Sequence, residues 1–394
     1  MSEVRVNNLS NENNTGGPTI SGITTYSGTN FFVPPQGDTA SRPSGCPSGS
    51  LRFNTDSAHL EYYRGDTIGW VEVEAELTAP LGGGGGETGS NGGLGVRALM
   101  AGGDTPSLLS HIDFITMSSM GDAADFGNLS TARAGGACIS NRTTIAFAGG
   151  YAPGISNSID TTIFATTGTA VDTANLTFNA NGPMGGAGNS YRGIVAGGRN
   201  PSGTSQNIIQ YYTFAAAADA VDFGDLLNAC FTGSACASST RGVISAGVIS
   251  APTRVDNLDF ITTATTGNSQ DFGNLSTVRN GAGAFSNATR GIWGGGETPN
   301  KSNVIDYITF ATLGNAVDFG DMSYTRANAS NDGASSSTRG IFSGGGSPAT
   351  DNDNSRMRSI EKVEIATLGN TIDFGDMTDH ASNHHVMSNG HGGL

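Results

Sequence analysis

A unit of about 48 residues recurs six times between Gly95 and Leu394, and this period restricts the chain to folds assembled from like parts. Each copy carries a glycine doublet after a short apolar run, with the second glycine at Gly103, Gly150, Gly198, Gly247 (as Ala246-Gly247), Gly296 and Gly345. About 20 residues further on, five copies read Asp-Phe-Gly, beginning at Asp125, Asp222, Asp271, Asp318 and Asp373, whereas the second reads Asp172-Thr173. Short β runs at a period of roughly 40–50 residues are the mark of propeller blades.

The fifth copy shows the strands best. Val304–Phe310 alternates as a half-buried strand should, and a Leu313-Gly314-Asn315 turn reverses it into Ala316–Phe319. The tight turn at Arg339-Gly340 leads into Ile341–Gly345. Each repeat therefore predicts four antiparallel strands, A to D, with the doublet ending B and letting the backbone bend where neighbours approach. The A runs are small, as in Ala134–Ala137, Gly233–Ala235 and Gly281–Ala284, which suits innermost strands around a narrow axis. The repeat region opens in a B strand, Val96–Gly103, and ends in an A strand, Ala381–Met387. The last strand is expected to complete the first sheet, removing open edges and giving six blades over residues 95–394.

Charged residues are only 13% of the chain, the net charge is −15, and Lys301 and Lys362 are its two lysines. Nucleic-acid and anionic-membrane partners are therefore not expected. Cys138 and Cys236 fall at equivalent places and read as small core residues; Cys46 and Cys230 have no such assignment, and no CxxC spacing occurs. No apolar leader or bilayer-length span is visible, while the Ser/Thr/Asn-rich composition suits an extracellular surface. A particle assembled in a cytoplasm and released by lysis meets both conditions.

The doublets, the hairpin pairs Arg192-Gly193, Arg241-Gly242, Arg290-Gly291 and Arg339-Gly340, and the aromatic strand that follows resemble the kelch repeat over about 300 residues. The chain departs from that family in using Asp-Phe-Gly where kelch usually has tryptophan. Residues 1–80 differ in composition. Ser50–Asp56, His59–Gly65 and Ile68–Val71 read as a three-stranded meander, whereas Ile20–Tyr26 and Phe31–Pro35 look extended and too poor in core residues to fold alone. The run Leu51-Arg52-Phe53-Asn54, Leu60–Gly65 and Trp70-Val71 is similar to a short β motif of virion and fibre proteins of tailed phages, the marine cyanobacterial phages among them. That resemblance implies a structural virion protein whose residues 1–80 anchor it to other virion proteins and assemble it as a homo-oligomer, a trimer being expected. Gly-rich residues 81–94 read as a tether.

The tether enters beside the A–B and C–D turns, which are alike from copy to copy. The B–C loops at the opposite ends differ in length and composition, as recognition loops on a rigid scaffold do. Arg199, Arg254, Lys301, Asp351, Asp353 and Arg356 are the candidate binding residues, with host-surface glycan the expected ligand. His380, His384, His385 and His391 crowd the end of the sequence, but no ligands from other blades are identifiable beside them, so they are read as packing or solvent-facing residues, and no metal or other cofactor is expected. Asp113, Asp160, Asp259, Asp306 and Glu361, with Gln210, recur at one strand-C position; recurrence marks them as serving the repeat. No catalytic constellation or phosphate loop is present, so the chain is expected not to be an enzyme. A polysaccharide-acting enzyme and a cellular kelch-type adaptor are the alternatives.

Overall fold

A computed structural model of the chain describes residues 34–56, 59–67, 69–72, 96–327, 333–347 and 355–394. It divides into two compact units, Met1–Glu76 and Leu77–Leu394. The protein is all-β, with no helix among the described residues. In the first unit the expected meander is present as Leu51–Asn54, His59–Tyr63 and Trp70–Glu72, and a short parallel strand, Gln36–Gly37, extends it. Glu61 is fully buried there, bonded by Arg42 and by the Asn54 amide (2.8 Å). The Tyr63 and Trp70 rings pack at 5.3 Å. The expected tether and the runs Ile20–Tyr26 and Phe31–Val33 lie outside the described residues.

The second unit contains six four-stranded antiparallel sheets, in each of which the strands lie side by side in the order A, B, C, D. The first takes its A strand from the end of the sequence: His385–Ser388 pairs with Arg97–Ala101, which is followed by His111–Thr116 and Ala124–Asn128. The second comprises Ala137–Ser140, Thr144–Ala148, Ser158–Ile163 and Val171–Asn175; the third Met184–Gly188, Arg192–Ala196, Gln206–Thr213 and Val221–Cys230. The fourth is Ala235–Ala237, Arg241–Ser245, Asn257–Thr262 and Gln270–Asn274; the fifth Asn280–Ser286, Arg290–Thr298, Asn300–Thr309 and Val317–Arg326. The sixth is Ala334–Ser335, Arg339–Ser343, Ser359–Glu364 and Ile372–Asp376.

In four of the six sheets one column of side chains ties three strands, and in the sixth Lys362 stands at the ring's place. The hairpin arginine lies over the strand-C ring (Arg97 over Phe114 at 4.9 Å, Arg290 over Tyr307 at 4.9 Å), and that ring meets the Asp-Phe-Gly phenylalanine edge-on (Phe114–Phe126 6.0 Å, Tyr307–Phe319 6.0 Å). Edge-to-face pairs of this kind contribute about 0.5–1.5 kcal/mol beyond area burial. The same guanidinium reaches the next sheet, as Arg241 does to Phe310 O (2.6 Å), Arg290 to Ile365 O (2.8 Å) and Arg339 to Met117 O (3.1 Å). The second sheet lacks the whole column: Thr144, Thr161 and Thr173 stand at its three places, the last two within 3.3 Å of each other. The departure from Asp-Phe-Gly noted in the second repeat is thus one part of a concerted replacement.

Between sheets, the C–D turn of each donates to strand D of the one before: Gly168 N to Phe126 O, Gly267 N to Phe223 O, Gly314 N to Phe272 O, Gly369 N to Phe319 O, and Gly121 of the first sheet to Phe374 O of the sixth. Each A strand lies beside the A strands of two other sheets. Serines at one strand-A position link them: Ser286 Oγ donates to Ala237 O (2.7 Å), Ser335 Oγ to Ser286 O (2.7 Å), Ser388 Oγ to Ser335 O (2.5 Å) and Ser140 Oγ to Ser388 O (2.7 Å). At Gly188 and Ala237 the hydroxyl is missing. There the tail beyond Ser388 fills in: His391 Nε2–H donates to Ser140 O (3.1 Å), Gly392 N to Ser286 O (2.9 Å), and a side chain at Gly393 would meet Gly188 O at 2.1 Å.

Three of the four crowded histidines, His384, His385 and His391, are buried, whereas His380 is half-exposed. His384 turns to Ser343 (2.9 Å) and His385 packs against Phe147 (6.0 Å), so the adjacent rings face different sheets. Burial pushes His384 down to about 4, His385 to about 3 and His391 to about 4, which keeps all three neutral.

Candidate functional site

The second glycine of each doublet has a positive φ, 94° at Gly103, 95° at Gly150 and 103° at Gly198, and carries the chain against the preceding D–A connection. The residue that follows it is then locked by a backbone bridge. Asp104 pairs with Ser382, Tyr151 with Ala134, Arg199 with Asn181, Val248 with Phe231 and Gly346 with Ala327, while Glu297 pairs with Asn280 at the same place in longer strands. Six equivalent positions on one repeated backbone thus carry Asp, Tyr, Arg, Val, Glu and Gly.

The D–A connections continue this frame. Gly135, Gly182, Thr232, Gly281 and Asn383 are equivalent and all left-handed, with φ between 52° and 65°. Their amides are linked in succession, Gly135 N to Asn383 O (2.8 Å), Gly182 N to Gly135 O (2.8 Å), Thr232 N to Gly182 O (2.9 Å) and Gly281 N to Thr232 O (2.9 Å). The sixth member falls in 328–332, outside the described residues. Glycine takes this conformation freely and asparagine tolerates it, but a β-branched residue there is strained by about 1–3 kcal/mol. Thr232 is such a residue.

These two sets of residues border a hollow of about 540 Å³, walled by Asp104, Tyr151, Asn181, Arg199, Phe231 and Thr232, among others. Its size falls within the roughly 300–1,000 Å³ of small-ligand sites. Tyr151 is 49% exposed. The Arg199 guanidinium sits over the Phe231 ring, its central carbon 3.6 Å from the ring centroid. Asp104 is paired with Arg356 and also accepts from Ser382 Oγ (3.1 Å) and Asn383 Nδ2 (3.0 Å).

The sequence-derived candidates divide accordingly. Arg199 is in the wall, and Arg356 reaches it through Asp104. Arg254 is bonded to Asn280 and Glu297 (3.0 Å), one bridge further on. Lys301 lines a separate hollow of about 470 Å³ with Glu297 and Thr325. Asp351 and Asp353 lie outside the described residues. Tyr151, Asn181, Thr232 and Asn383 were not among the candidates. The signal for Tyr151 was present, as a recurring doublet whose second glycine is followed by an unlike residue in every repeat; the other three belong to D–A connections, whose approach to the doublets only the fold reveals.

One further polar cluster lies beside strand C of the first sheet. His111 is held between Asp379 (3.0 Å) and Asp125 (2.9 Å), with Asp113 3.9 Å away. Burial alone would lower the imidazole, but those hydrogen bonds and the nearby Asp113 charge outweigh it, and its pKa is raised. Among the described residues no group of His, Cys, Asp and Glu is arranged to hold a metal ion. Compared with protein-family models and with curated proteins, the chain matches none.

Proposed function

We propose that this chain is a non-enzymatic virion structural protein, a fibre, appendage or capsid decoration, that displays a closed six-bladed, kelch-like propeller for adhesion to host-surface glycan. The observation that carries the binding role is the set of six unlike residues on one repeated, doubly hydrogen-bonded backbone, three of which, Asp104, Tyr151 and Arg199, border one hollow. A position that served only the scaffold would repeat its residue along with its backbone, as the doublets and the strand-C acids do.

Three features support closure of the six sheets into a ring: the bonds from each C–D turn to the preceding D strand, those from the first sheet to the sixth included; the succession of neighbouring A strands; and the pairing of His385–Ser388 with Arg97–Ala101. The meander of Leu51–Glu72 is the basis for the virion assignment and for oligomerisation through residues 1–80. Ligand recognition is tested with the full chain on immobilised host-surface polysaccharide. Tyr151→Ala together with Asn181→Ala is expected to reduce retention at least tenfold without changing the melting temperature; undiminished retention would reject the hollow as the binding site. Release of sugar fragments from the polysaccharide would instead favour an enzyme.

A further inference from the structure

We propose that the hollow takes a carboxylate-bearing sugar, with Arg199 as the anchor for its anion and Tyr151 as the surface on which its ring stacks. The inference rests on the glycan-binding reading above and narrows it to a chemical class.

The argument is one of charge balance at equivalent positions. Two of the six post-doublet residues are acids, and each is neutralised by an arginine from a neighbouring loop: Asp104 by Arg356, and Glu297 by Arg254 at 3.0 Å. Arg199 is the cation of the set, and among the described residues no carboxylate forms an ion pair with it. Its Nε is buried and has no hydrogen-bond partner. In a chain of net charge −15, an unneutralised guanidinium in a concave wall is a local exception.

Geometry specifies the anion. At 3.6 Å from the Phe231 centroid the guanidinium carbon is at stacking distance, and a stacked guanidinium offers its edge, where the donors lie, to a partner in its plane. A carboxylate accepts two parallel N–H bonds in this arrangement. The remaining wall combines apolar Pro106, Leu108 and Ala134 with Asp104, whose charge Arg356 and the Asn383 amide already engage, and with two hydrogen-bonding groups, the Asn181 amide and the Thr232 hydroxyl, the latter retained on a strained backbone where the equivalent residues of three other connections are glycine. An exposed tyrosine beside amide and hydroxyl groups suits a sugar ring, with an apolar face and polar edges. A polyanion such as nucleic acid is disfavoured, because a single arginine in the wall cannot offset the net negative charge of the chain.

The test is calorimetric titration of the full chain with trigalacturonate, trimannuronate and sialyllactose, each against its own methyl ester, which keeps the shape and removes the charge. At least one acid is expected to bind ten times or more tightly than its ester. Arg199→Gln should abolish that difference while leaving the ester's affinity within about twofold, and Arg199→Lys should restore part of it. Thermal melts of both variants establish that they fold. Equal binding of acids and esters would overturn the anion anchor yet leave the glycan-binding reading intact. Acid preference that survives Arg199→Gln would overturn it too, as would failure of all six probes; in that last case the polysaccharide retention assay decides the broader reading separately.

Discussion

Asp306 and Asp259 occupy the same strand-C place in neighbouring sheets, and only one of them has a cation beside it. Arg279, Arg133 and Arg326, from the D–A connections, are buried against Asp306 (2.9 Å), Asp160 (2.8 Å) and Glu361 (2.6 Å) of the following sheet. At the other three connections the arginine is replaced by Ala180, Cys230 and Ala381. Opposite Ala180 the acid has become Gln210, whereas Asp259 and Asp113 persist as carboxyls, with Ser269 and Thr378 hydroxyls for company. Burial raises the pKa of both. A raised carboxyl pKa means that the folded state disfavours the charge, so this group's contribution to stability falls as pH rises from the ordinary carboxylate range through the raised value. Asp259→Asn is therefore expected to be neutral or stabilising at pH 7, with any gain shrinking toward pH 4. Asp306→Asn leaves Arg279 buried without its counter-charge and should lose about 3–5 kcal/mol. Denaturant melts of the two variants at pH 7 and pH 4.5 check both statements. The recurrence of these acids made their structural role legible in the sequence; their arginine partners were not, because pairing runs between sheets and the spacing alone does not show it.

At the scale of the element, the Asp-Phe-Gly glycine explains itself through its neighbour. Gly273 has φ of 144°, and a Cβ there would lie 2.4 Å from Gly314 O in the next turn; Gly224 and Gly320 meet Gly267 O and Gly369 O in the same way. In the second repeat the glycine is Ala174, and the turn it faces is the glycine-free run Ala215–Ala218. Strand and turn have changed together, and the joint is kept by Ala220 N to Asn175 O (2.8 Å) and by Asn175 N to the Asp219 carboxylate (2.8 Å). Gly273→Ala is expected to destabilise by about 2 kcal/mol or more through the clash and the backbone strain, while Ala174→Gly should cost no more than about 1 kcal/mol. Parallel thermal melts distinguish them. Strand order and doublet placement were readable because glycine and alternating apolar residues answer to local geometry. The serine belt and the tail that fills its gap were not, since they depend on which A strands become neighbours. Of the site, the loops gave Arg199; the connections that complete its wall were hidden for the same reason.

At the scale of the molecule, the two ends of the repeat region share one sheet. Removing His385–Leu394 would strip Arg97–Ala101 of a partner and leave an open edge, so the shortened protein is expected to aggregate or multimerise, as size exclusion with light scattering would reveal. Removing only residues 391–394 spares the strand and should give a monodisperse protein of lower melting temperature. A well-folded monomer from the larger deletion would contradict the proposed closure of the sheets into a ring. The same pairing also bears on mechanics. Arg97–Ala101 begins where the rest of the chain enters and ends at Gly102-Gly103, next to the hollow. A load between a held ligand and the chain upstream of Val96 would run along this strand, clasped on one side by His385–Ser388 and on the other by His111–Thr116. Both rows of hydrogen bonds would then be sheared together and share the tension, whereas an edge strand loaded in the same direction would have only one row to bear it. On the proposed adhesive reading, attachment through this strand would set both rows of hydrogen bonds against the pull on a tethered particle.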